Sequence, residues 1–290
     1  MLPLSFKEFM LACNKEQLLD EINNCYIQQV AMPEFAHNIA IQKYLEYLCI
    51  GGMPKAVLNF IENDQNIMLF NRDIIDNIIT TYMMDMKKYT YTNGEIIKIQ
   101  SVYETMPSQL AKDNHKFKYS DVKRGGTKAK FELPLEWLVS SNMLLKCNRI
   151  DKIEIPPRAF INPDWFKMYL SDVGILTNLC KISYSDILLD KQFMFKGAIA
   201  ENYVACILNS FSKDLMYWRN NNESEIDFLI YNDDGIIPIE VKAGIRTQSK
   251  SLKTYMDKYN PKYGIRLSLK NFGFENNIKS IPLYAAHVCF

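Results

Sequence analysis

Apolar residues recur at helical spacing through the first part of the chain. Ile41, Tyr44, Leu45 and Leu48 share one face of a helix that Gly51-Gly52 and Pro54 bring to an end. Two more helices are expected over Ala56 to Ile61 and Asp73 to Met86, then one over Glu95 to Glu104. A further helix over Leu133 to Ser141 carries its apolar face on Leu135, Leu138 and Val139, and a strand follows at Met143 to Cys147. Beyond residue 200 the period shortens to two. Met216 to Arg219, Glu225 to Ile230 and Ile236 to Lys242 read as strands. The last two are joined by Tyr231-Asn232-Asp233-Asp234-Gly235, whose Asp-Gly step is a strong hairpin signal. A helix around Ser251 to Tyr259 and a strand at Tyr263 to Ser268 complete the series. With a helix over Gly197 to Val204 in front, the order is α-β-β-β-α-β, in a chain of the α/β (α+β) class.

Composition changes this picture little. At 290 residues the chain is long for one domain, and 48% hydrophobic with 23% charged residues is ordinary for a globular protein. A net charge of +1 gives no global nucleic-acid or membrane signature, so any binding charge must be local. The seven cysteines form no CxxC pair and there are three histidines, which argues against a zinc site and for buried thiols in a reducing compartment. No apolar stretch approaches membrane-spanning length, so a cytoplasmic protein without membrane contact is expected.

The hairpin holds the candidate chemistry. Strand alternation places Glu240 and Lys242 on one side of their strand, and Glu225 and Asp227 on one side of theirs. Glu201 lies beside Val204 and Leu208 at the edge of the preceding helix's apolar stripe, an unusual place for a carboxylate. Carboxylates are natural donors for Mg2+ or Mn2+, which polarise a phosphodiester and activate water. A lysine beside them orients that water or stabilises developing charge. The alternative is a solvated face of weak surface pairs.

Asp227 followed by Glu240-x-Lys242 on the next strand, with Glu201 before them, resembles the PD-(D/E)xK nucleases, although Ile226 stands where proline gives the motif its name. The resemblance implies catalytic roles for Glu201, Asp227, Glu240 and Lys242, with Asp227, Glu240 and Glu201 as metal ligands. More of the chain resembles the C-terminal part of a prokaryotic AAA-type ATPase family that carries a C-terminal domain of unknown function. Leu2-Pro3-Leu4-Ser5-Phe6, Gly51-Gly52-Met53-Pro54, Arg72-Asp73-Ile74, Asp172-Val173-Gly174-Ile175-Leu176, Gly197 to Val204, Tyr217-Trp218-Arg219 and the hairpin occur in the family's order. The phosphate-binding pattern GxxxxGK[ST] is absent from the sequence, and Gly125-Gly126-Thr127-Lys128 does not supply it. The chain is therefore expected to be this family's C-terminal portion, with no ATP site and no ATPase activity of its own. Arg72 would serve a neighbouring ATPase as a nucleotide sensor, or else form an ordinary ion pair on a helix surface.

The expected division is a helical lead-in over 1–90, a winged helix-turn-helix over 91–158 and a PD-(D/E)xK nuclease-like domain over 159–290. Tyr91-Thr92-Asn93-Gly94 opens the middle unit. Lys112, Lys116, Lys118, Lys123, Arg124, Lys128 and Lys130 are opposed there by only Asp113 and Asp121, and Phe117 and Tyr119 interleave. Lys116, Lys118, Lys123, Arg124, Lys128 and Lys130 are the candidate nucleic-acid contacts, since such clusters bind phosphate backbones. The expected partners are DNA or another nucleic acid and a separate ATPase. Two functions stay open: a metal-dependent nuclease, or a non-catalytic DNA- or protein-binding accessory module of an ATP-binding protein.

Overall fold

The structure is a computed structural model and describes residues 2–88, 93–112, 116–189, 191, 193–220, 224–245 and 250–290. The expected opening of the middle unit at Tyr91-Thr92, and Asp113 in the basic segment, lie outside the described residues. The elements are α1 (Phe6–Ala12), α2 (Glu16–Gln28), α3 (Glu34–Ile50), α4 (Pro54–Glu62), α5 (Asp73–Met86), α6 (Asn93–Glu104), α7 (Met106–Leu110), α8 (Tyr119–Val122) and α9 (Lys128–Ser140). Then come β1 (Leu144–Ile150), β2 (Ile161–Leu170), α10 (Val173–Leu179), α11 (Tyr184–Leu188) and α12 (Lys196–Ser210). The chain continues through β3 (Met216–Asn220), β4 (Ser224–Asn232), β5 (Gly235–Val241), α13 (Lys250–Tyr259), β6 (Gly264–Ser268), β7 (Gly273–Glu275) and β8 (Ile278–Pro282). A 3-10 turn over Leu283–Cys289 follows. The fold is thus α+β, and α12-β3-β4-β5-α13-β6 reproduces the order read from the sequence.

Among the described residues the strands form one sheet in the order β2-β1-β3-β4-β5-β6-β8-β7. β1 pairs antiparallel with β2 and parallel with β3, so the sheet runs across the boundary expected at 158. Two apolar layers cover it. Ile150, Met216, Trp218, Ile226, Leu229 and Ile236 pack with Leu252 and Tyr255 of α13. Phe228, Ile230, Ile237, Ile239 and Val241 belong to the larger core, which α12 enters with Tyr203, Val204 and Leu208. Alternation along β4 breaks between Ile226 and Phe228, which face different layers, and the β3–β4 register shifts at the same level. Such a bulge re-aims side chains, and Asp227 is the residue at this one.

The motifs Gly51-Gly52-Met53-Pro54 and Asp172-Val173-Gly174 form a clasp. Asp172 caps α10 by accepting the Ile175 N–H at 2.8 Å, and its other oxygen accepts the Gly52 N–H at 2.7 Å. A Cβ on Gly174 would lie 2.4 Å from the Ile50 carbonyl oxygen, and one on Gly52 would lie 1.9 Å from that of Leu4. Only glycine permits both approaches. The opening Leu4 donates its N–H to Gly52 O, and Ser5 caps α1 in a reciprocal box with Glu8.

Candidate functional site

α12 presents Glu201 beside the sheet, where its Oε2 accepts the Tyr169 hydroxyl at 3.0 Å. Asp227 lies where β4 and β5 part: beyond the Phe228–Ile239 pair, its Oδ2 takes the Val241 N–H at 2.7 Å. Glu240 is 3% exposed and holds Lys242 Nζ at 2.5 Å, while its second oxygen is buried with no hydrogen-bond partner among the described residues. Lys242 follows β5 directly and donates its backbone N–H to Leu267 O at 2.8 Å.

These groups act on one another. Burial, then the charges of Glu201 and Glu240, push the Asp227 carboxyl well above the ordinary carboxylate value, against the pull of Lys167 and the Val241 N–H. Burial alone would lower the Lys242 ammonium, yet Glu240, with Asp227 and Glu201 behind it, raises it above its ordinary value. The fold therefore brings together all four residues singled out by sequence. Strict alternation is not the whole reason. Ile239 and Val241 pack in the larger core, so Glu240 takes the opposite parity, and the bulged Asp227 bridges between it and Glu201.

Lys167 was not visible in the sequence as part of this site. It lies on β2 with its side chain fully buried, its Nζ 2.5 Å from Glu225 Oε1, 3.5 Å from Glu201 Oε2 and 5.0 Å from the centre of the Tyr217 ring. Burial opposes the ammonium, but Tyr169, Glu201, Glu225 and Asp227 together hold it well above its usual value. Its one sequence signal is a lysine inside the run Trp165-Phe166-Lys167-Met168-Tyr169-Leu170. With this ammonium among the carboxylates, and Glu240 turned to Lys242, no group of three or more His, Cys, Asp or Glu among the described residues is arranged to hold a metal ion.

The basic segment is partly neutralised. Lys112 pairs with Asp121, Lys128 lies 3.2 Å from Asp164 and 3.8 Å from Glu132, and Lys130 donates to Gly125 O at 3.3 Å. Lys118, Lys123 and Arg124 are exposed, while Lys116 turns over the Trp165 ring at 3.2 Å. Phe117 is 3% exposed and stacks on Phe166, so it is core rather than a surface platform. Among the described residues, Arg72 meets an amide and a ring rather than a carboxylate. Its Nε donates to Asn178 Oδ1 at 2.6 Å and its guanidinium lies 4.8 Å from the Tyr184 ring centre.

A family model described as a domain of unknown function (DUF8612) matches residues 41–186, half of the chain. The chain belongs to the DUF8612 family. The DUF8612 stretch contains both halves of the Gly52–Asp172 clasp and also Lys167. A second model, also a domain of unknown function (DUF4143), matches residues 196–286, which hold Glu201, Asp227, Glu240 and Lys242. The site is thus built from the DUF4143 segment, with Lys167 and Tyr169 reaching in from DUF8612. No curated protein and no solved structure matches the chain. Among the described residues, no helix is long and apolar enough to cross a membrane.

Proposed function

We propose that this DUF8612 protein is nucleic-acid-associated and that Glu201, Asp227, Glu240 and Lys242 form a metal-dependent phosphodiesterase site of PD-(D/E)xK type. The convergence of these four charged groups on an α-β-β-β-α-β frame carries the reading. Their chemistry suits Mg2+ or Mn2+, which take oxygen donors, and among the described residues the buried second oxygen of Glu240 is an acceptor without a donor. Asp227, Glu240 and Glu201 would hold the ion once Glu240 turns from Lys242 toward the other two, and the bound ion would polarise the phosphoryl group. Lys242 would orient the attacking water and stabilise charge on the phosphoryl oxygens. The resemblance to the C-terminal part of AAA-type ATPases makes a separate ATPase a partner in this reading, and this sequence, without a phosphate-binding loop, would hydrolyse no ATP itself.

Lys167 favours a second reading. An ammonium already paired with Glu225 and close to Glu201 supplies positive charge that a metal would otherwise bring. In that case the domain keeps the frame as a binding module for nucleic acid or a protein partner.

Calorimetric titration with Mn2+, with Asp227→Ala as control, separates the two readings. The nuclease reading expects binding by the parent and none by the variant. It further expects cleavage of single-stranded, duplex or branched DNA, or of RNA, that Glu240→Gln abolishes while binding persists. Nucleic-acid binding without metal uptake or cleavage would leave the binding module.

A further inference from the structure

The outer half of β2 lies beside a row of cations that runs toward the acidic site. Arg149 sits where the β1–β2 register shifts, between the Asn148–Phe166 and Ile150–Ile161 pairs, and its guanidinium lies 5.0 Å from the centre of the Trp165 ring. Lys116 Nζ lies over the same ring at 3.2 Å. On the other side, Arg149 pairs with Tyr217 of β3, and Arg219 stands two residues along on the same side of that strand. Arg219 holds Glu225 at 3.2 Å, and Glu225 in turn holds Lys167 beside Glu201. Lys116, Trp165 and Arg149 thus touch one another at the β2 side, and Arg219, on the next strand, touches the acidic cluster.

Like charges gather at the Lys116 end of this row. Burial first, then the like charges of Lys118 and Arg149, push the Lys116 ammonium below its ordinary value, and Asp164 offsets them only in part. Lys118 is exposed, and Arg149 is balanced by Asp151 at 3.2 Å. Spaced cations flanking an indole match a strand whose phosphates meet the cations and whose unstacked bases meet the ring. A duplex keeps its bases stacked and offers this ring little beyond phosphate.

We propose that Lys116, Trp165, Arg149 and Arg219 form a docking track for single-stranded nucleic acid, which it delivers to the Glu201–Asp227–Glu240 site. The track deepens the nucleic-acid reading above by naming its substrate class, and it uses Trp165, Arg149 and Arg219, which lie outside the basic segment picked out by sequence.

The test is fluorescence anisotropy of the full chain with a short labelled strand, as DNA and as RNA, and with the matching DNA duplex at low salt. Expected are tighter binding of a single strand than of duplex, and a loss of roughly tenfold on Trp165→Leu, the scale of one base stack. Trp165→Phe, which keeps an aromatic face, should restore most of that loss and also shows that the position tolerates replacement. Lys116→Met should lower the salt dependence by roughly one phosphate contact. Equal affinity for duplex and single strand, full affinity in Trp165→Leu, or no binding of either strand would overturn the track. Cleavage that survives unchanged in Trp165→Leu would overturn the track alone and leave the phosphodiesterase reading in place. Single-strand binding lost in Trp165→Leu, in a parent that takes up no Mn2+, would do the reverse.

Discussion

Asp172 accepts the backbone N–H of Gly52 at 2.7 Å across 120 positions of sequence. Through this bond the end of α3 is tied to the start of α10, and the same carboxylate caps α10 at Ile175. Asp172→Ala should lower stability by about 2–4 kcal/mol, the sum of a lost cap and a buried N–H left without an acceptor. Gly174→Ala should also destabilise, because its Cβ meets the Ile50 carbonyl oxygen at 2.4 Å. Urea unfolding followed by circular dichroism checks both. An Asp172→Ala protein within about 0.5 kcal/mol of the parent, the range of neutral surface changes, would remove the clasp from the account.

Lys167 balances carboxylates that have little water to turn to. Lys167→Met should cost about 3–5 kcal/mol at neutral pH, the usual penalty for breaking a buried ion pair. The loss should shrink only above pH 10.5, where the unfolded chain no longer carries the lysine charge that the folded state still holds. If the site accepts a divalent ion, Mn2+ should stabilise this variant more than it stabilises the parent. Thermal melts across pH, with and without Mn2+, provide the measurement, and a pH-independent loss would show that the ammonium acts through packing alone.

His287 gives the fold an acid limit. It is 7% exposed, and burial, then the charge of Lys7, hold its imidazole down to about 4 from an ordinary 6.5. Its neutral form belongs to the folded state. The stability it supplies is complete above pH 6.5 and falls as pH drops toward 4, by about 3 kcal/mol across the window. Asp172 works in the opposite sense. Burial raises its carboxyl to about 6, so its contribution declines as pH rises from 3.8 to about 6. The comparison that isolates His287 is therefore His287→Leu against the parent, and the variant should lose less stability between pH 6.5 and 4. Parallel curves would show that His287 does not titrate in this window.

Lys123 and Arg124 are exposed, whereas Lys112 and Lys128 are paired with acids. Replacing both exposed residues with alanine should weaken nucleic-acid binding alike for all base sequences, since phosphate contacts read no bases. The salt dependence should fall by roughly two contacts. A sequence-dependent change in anisotropy titrations would contradict this assignment.

Much of the C-terminal fold was legible because its signals are local. Period-two runs, the Asp234-Gly235 turn and the amphipathic α13 are each written within a few consecutive residues. The placement of α12, β4 and β5, which carry Glu201, Asp227 and Glu240, followed from that order. The rest depends on distant partners. Lys167 is buried because Glu225 and Glu201 await it on β4 and α12. No local rule shows that β1 would join β3 and carry the sheet across residue 158. The bulge at Asp227 likewise depends on the shift against β3, and the neutralisation of Lys128 on Asp164 of β2.

Phe6 packs edge-on to Tyr203, Met32 exchanges backbone hydrogen bonds with the Asn271 side chain, and His37 meets the Tyr284 hydroxyl at 2.7 Å. Neither matched stretch, 41–186 or 196–286, owns these contacts. A gene cut at the seam between them would yield two fragments whose interiors open to water along α12. The seam divides sequence families but not the buried core, which runs from Phe6 to Ala286. Evolution could exchange these parts only by carrying the opening helices along with the tail they shelter.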